Sequence, residues 1–138
     1  MITKEDLENY IHDKQYVKSK REKLEEDIES LQKTTSSFEE TRIKSAVHDR
    51  MAENLAKLLD MQEANLEYIV KEEQRLKRIE QEVEKLKPKY RNILYGYYIL
   101  GKDLTEVAVD NGYDYVYTCK LNGKGLEILL KKTIKDIE

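Results

Sequence analysis

The side chains with the most contact chemistry in this 138-residue chain fall in one short run: Tyr115, Val116, Tyr117, Cys119, Lys120 and Lys124. On the outer side of a helix, phenol rings and a β-branched side chain can reach base edges in a groove. Lysines can reach phosphates or guanine. Such a set recognises a surface and does not transform a substrate. His12 and His48 have no cysteine or second histidine at ligand spacing, so neither a metal site nor a cofactor is expected. The pairs Glu25-Glu26 and Glu72-Glu73 sit on charged helical stretches with no cleft to tune a general acid or base. No glycine-rich phosphate loop and no nucleophile motif occurs, so the chain is not expected to be an enzyme. Cys119 reads as a small space-filler, with a thiol sensor as the alternative.

The elements that must hold this run can be read upstream of it. Pro88 opens a helix at the position where its missing N–H costs nothing. Ile93, Leu94, Tyr97 and Leu100 share a face, and Gly101 stops the helix. Asp103 and Glu106 form a capping pair for a short helix whose inward residues are Leu104, Val107 and Ala108. Ala108 is small enough for two helices to cross closely. Asn111-Gly112 supplies a left-handed turn, and Asp114 caps the last helix. Thr118, Leu121, Gly125, Ile128 and Leu129 are expected to face inward there. Tyr90, Tyr97 and Tyr98 are expected to pack inside. Lys131, Lys132 and Lys135 suit the negative end of that helix, or a nucleic-acid backbone.

Composition bounds the rest. The chain is 39% hydrophobic and 38% charged, against roughly 25% charged in ordinary domains. Charge of both signs at that density, with one proline and five glycines, fits long exposed helices. Pro88 and all the glycines lie from position 88 onward, as do seven of the ten tyrosines. Two domains are therefore expected, 1–87 and 88–138. The net charge of −3 is not that of a strongly basic nucleic-acid binder. A single cysteine fits a reducing cytoplasm. No apolar run nears the ~20 residues of a membrane span. The first residues carry no signal-peptide stretch, so a cytoplasmic protein is expected.

In the first domain Thr3 and Asp6 begin a helix. Tyr10, Val17, Leu24 and Leu31 recur at sevens, with Leu7 and Ile28 at the second seam position and Lys14 and Arg21 where apolar residues would complete it. Thr34 to Ser37 is expected to end this helix, and the break spans about 34–45. Ser37 with Glu40 can cap the next helix. A second stripe runs through Val47, Met51, Leu55, Leu58, Leu59, Gln62, Leu66 and Ile69, then Leu76, Ile79, Val83 and Leu86. Unbroken to Lys87 it would reach roughly 60 Å. The expected fold is all-α: a long antiparallel helical hairpin or coiled coil, then three helices in helix-turn-helix order.

Residues 90 to 130 resemble the region-four helix-turn-helix of bacterial sigma factors. They are more closely similar to small sigma-like regulators of temperate phages of Gram-positive bacteria, including late activators of the RinA and ArpU type. The resemblance is carried by Tyr90-Arg91, Ile93-Leu94, Tyr98-Ile99, Gly101-Lys102, Leu104 to Ala108, Gly112-Tyr113, Tyr115, Leu121 and Gly123-Lys124. Upstream, Thr34 to Ser37, Ala46-Val47 and Leu58-Leu59-Asp60 follow the plan of one branch. The resemblance implies a regulator in the bacterial cytoplasm that binds promoter double-stranded DNA. It further implies contact with RNA polymerase and a homodimer formed through the long helices. The chain departs from the family where Val116, Tyr117 and Cys119 replace arginine or histidine, and at Gly96 and Tyr97. Two other readings stay open. One is a protein-interaction module with a degenerate helix-turn-helix. The other is a packaging protein like the small terminase subunits.

Overall fold

The computed structural model describes residues 2–40 and 45–135, with side chains described at 2–33 and 52–131. Among the described residues the chain is all helical and has no strand: α1 (Lys4–Glu8), α2 (Tyr10–Glu40), α3 (Ser45–Glu84), α4 (Pro88–Leu94), a π-helical turn (Tyr95–Ile99), α5 (Leu104–Asn111) and α6 (Tyr115–Lys135).

Two compact units divide the chain, and both long helices pass from one into the other. The first comprises residues 1–15 and 74–138, the second residues 16–73. Pro88 lies within the first unit, at the start of α4.

In the first unit the N-terminus is fixed by a reciprocal cap. Thr3 Oγ1 accepts from the Asp6 N–H at 3.2 Å, and Asp6 Oδ2 accepts from the Thr3 N–H at 3.0 Å. Leu7 and Tyr10 are fully buried. Asp13 pairs with Arg75 at 2.9 Å, and the Tyr10 hydroxyl donates to Glu80. These pairs run the start of α2 and the end of α3 in opposite directions. Leu76, Ile79, Val83 and Leu86 are buried as their spacing predicts.

Helices α4, α5 and α6 pack on one another around Tyr90, Ile93, Leu94, Val107, Ala108, Leu121 and Leu129. Glycine permits the closest approaches. A Cβ on Gly125 would lie 3.1 Å from Tyr90 Cβ, and one on Gly96 would lie 3.2 Å from Val107 Cγ2. Gly101 (φ +76°) and Gly112 (φ +69°) take the left-handed conformation that L side chains resist.

Several expectations change. The helix expected to stop at Thr34–Ser37 runs on to Glu40, and the next begins at Ser45. Hydroxyl residues cost a helix only about 0.5 kcal/mol each, too little to end one already propagating. Residues 41–44, and the side chains of Ser37, Glu40, Val47 and Met51, lie outside the described residues. Leu100 and Ile128 are exposed, not inward. The π turn, closed by Leu100 N–H to Tyr95 C=O at 3.0 Å, adds a residue and swings Leu100 off the face of Ile93 and Leu94. Ile128 sits one residue, about 100°, from the inward row Leu121, Gly125 and Leu129.

In the second unit Arg21 Nε meets Glu73 Oε1 at 2.7 Å, and Lys20 Nζ lies 4.2 Å from the Tyr68 ring centroid. Val17, Leu24 and Ile69 are buried, while Ile28, Leu58, Leu59, Met61 and Leu66 stay substantially exposed.

Candidate nucleic-acid interface

The start of α6 is held from three directions. Asp103 caps α5, its Oδ1 accepting from the Glu106 N–H at 2.9 Å. After Gly112, the Tyr113 N–H donates to Ala108 C=O at 3.0 Å, closing the end of α5. Asp114 Oδ1 then accepts from the Tyr117 N–H at 2.7 Å and caps α6. Thr118 is fully buried and donates its hydroxyl to Asp114 C=O at 2.9 Å. Of the expected Asp103–Glu106 capping pair, the Asp103 side chain makes its bond to the Glu106 N–H.

The six singled-out residues do not form one surface. At about 100° per residue, Val116, Tyr117, Lys120 and Lys124 share the outer stripe of α6. All four are exposed. Tyr115 and Cys119 occupy a flank of their own. Cys119 beside it raises the Tyr115 hydroxyl above its ordinary pKa, helped by burial and by nearby Tyr97 and Asp103. Cys119 is half-buried, where an outward position was expected.

Lys120 and Lys124 make no salt bridge among the described residues. Glu127 faces their stripe, but Lys131 holds it at 2.7 Å, and together with Lys124 keeps its carboxyl below the usual range. The side chains of Lys132 and Lys135 lie outside the described residues. The Tyr113 and Tyr117 rings meet edge to face, centroids 5.1 Å apart at 89°.

A groove of about 540 Å³, absent from the sequence expectations, is lined by Arg91, Tyr95, Gly96, Lys102, Val107 and Asp110, among others. Lys102 Nζ meets Asp110 Oδ2 at 2.9 Å, and that hydrogen bond holds the ammonium above its ordinary pKa. The paired charges leave the groove without a dominant sign. The departure at Gly96 signals it, since a side chain there would crowd Val107. Tyr90 and Tyr98 are buried as expected, and Tyr97 is half-exposed, edge-on to Tyr98 with centroids 4.8 Å apart. Burial raises the Tyr98 pKa, and a hydrogen bond from Asn122 works the other way.

Among the described residues no three His, Cys, Asp or Glu side chains converge as a metal site requires. No described helix is long and apolar enough to cross a membrane. No family model matches the chain, and comparison with curated proteins and with solved structures gives no match.

Proposed function

We propose that the chain is a phage-type, DNA-binding transcription regulator. In this reading α5, the Gly112 turn and α6 form a sigma region-four-like helix-turn-helix. Helix α6 enters the major groove of promoter DNA, and α2 and α3 serve as an arm for homodimerisation or polymerase contact. The observation that carries it is the open outer stripe of α6, where Val116, Tyr117, Lys120 and Lys124 stand exposed beside two fixed turns. Two lysines give little electrostatic affinity, so pairing of two modules on adjacent half-sites supplies the rest. Anisotropy titration against duplexes from the neighbouring promoter regions tests it. Salt-dependent binding is expected. Absence of binding at about 50 mM salt, with helical circular dichroism intact, would sink the reading.

A specific observation favours a second reading, a protein-interaction module. Val109 and Val116 are 75% and 62% exposed. Asp103 and Glu106 place carboxylates at the start of α5, where a duplex would present phosphates. Recovery of one protein partner by a chain that ignores DNA would establish that reading in place of the first.

A further inference from the structure

We infer that Tyr113, in the turn between α5 and α6, is a positioning residue that sets the Tyr117 ring for sequence readout. The inference rests on the DNA-binding reading and deepens it. Tyr113 and Tyr117 are 37% and 43% exposed, so neither ring is held by a core. Their backbones are nevertheless fixed. The Tyr113 N–H is bound to Ala108 C=O, and the Tyr117 N–H to Asp114 Oδ1. Gly112, with φ +69°, turns the chain so that residue 113 lies over the first turn of α6. The perpendicular contact of the rings favours the Tyr117 rotamer that makes it.

That rotamer matters because Tyr117 shares its stripe with Lys120 and Lys124, three and seven residues on. The lysines contribute charge without sequence preference. The ring offers an apolar face and a hydroxyl at a fixed place on the same stripe, as contact with a thymine methyl or a base edge requires. Readout by a side chain free to rotate would cost rotamer entropy on every binding event. Tyr113 lowers that cost beforehand without touching the base itself.

The test is selection from a randomised duplex library by the full-length chain and its Tyr113→Phe, Tyr113→Ala and Tyr117→Ala variants. Each variant is checked for unchanged helicity and melting temperature. Tyr113→Phe keeps the ring edge and is expected to enrich the wild-type sites. Tyr113→Ala and Tyr117→Ala are expected to lose preference at the same one or two base pairs. Their ratio of selected-site to random-duplex affinity should fall by roughly tenfold, and the salt dependence should stay unchanged. The double variant should fall no further than Tyr117→Ala alone. Unaltered site preference in Tyr113→Ala, or loss at base pairs that Tyr117→Ala leaves alone, would overturn the inference while leaving the regulator reading intact. A wild-type chain that enriches no sequence overturns both.

Discussion

The hydroxyl of Tyr10 donates to the carboxylate of Glu80, 70 positions later in the chain, from a fully buried ring. This contact ties the start of α2 to the end of α3. Burial, then Glu80, pushes the Tyr10 pKa far above its ordinary value. Tyr10→Phe should cost roughly 1–3 kcal/mol, because it leaves a partly buried carboxylate short of a donor. Thermal melting at neutral pH checks this.

The same group sets an alkaline limit. The unfolded chain loses its tyrosine protons near pH 10, while Tyr10, and to a lesser degree Tyr98, hold theirs when folded. Their contribution is complete below about pH 10 and is lost as pH rises further, toward the raised folded values. Denaturant midpoints measured across this range should fall, and the fall should be shallower in Tyr10→Phe. An identical slope in the variant would contradict the assignment.

Two glycines of α6, two residues apart, should respond in opposite senses to alanine. Gly123 has nothing within 4 Å of a built Cβ, so Gly123→Ala should stabilise the helix by about 0.5–1 kcal/mol. At Gly125 the new methyl would press on Tyr90 Cβ at 3.1 Å and on Leu94 Cδ1 at 3.2 Å. Tyr90 Cβ cannot swing away, so about 1–3 kcal/mol of overpacking outweighs the propensity gain. Melting temperatures that move in the same direction would refute this contrast.

Asp114→Ala removes the cap on the Tyr117 N–H and should cost about 1 kcal/mol. Asp114→Asn keeps an accepting oxygen and should lose only a fraction of that. Hydrogen exchange localised to the first turn of α6 gives the readout.

Lys120→Ala with Lys124→Ala should weaken DNA binding and reduce the slope of log affinity against log salt by about 2, one for each phosphate left without its lysine. Folding should not change, since both side chains are exposed and neither makes a salt bridge among the described residues. A slope that stays the same would mean the lysines do not meet phosphate.

Much of the α4–α6 region was legible in the residues alone because its signals are local. Asp103 and Asp114 each cap an N–H three residues on, as Thr3 does for α1, and Gly101 and Gly112 take a backbone conformation that L side chains resist. Such geometry depends on a few consecutive dihedrals and not on the rest of the chain. The helix stop expected at Thr34–Ser37 comes later, though within the break expected at about 34–45, for the complementary reason. Weak local preferences yield to a helix already propagating, and α2 continues to Glu40.

The sequence by itself therefore determined the all-helical class, the Pro88 start, the caps and turns, and the inward row Leu121, Gly125 and Leu129. Tertiary structure alone decided the Tyr10–Glu80 contact, the π turn that displaces Leu100, and the seating of Gly96 against Val107. Each of these depends on how one helix rolls against another, and a roll of a fraction of a turn redistributes burial without altering any local propensity.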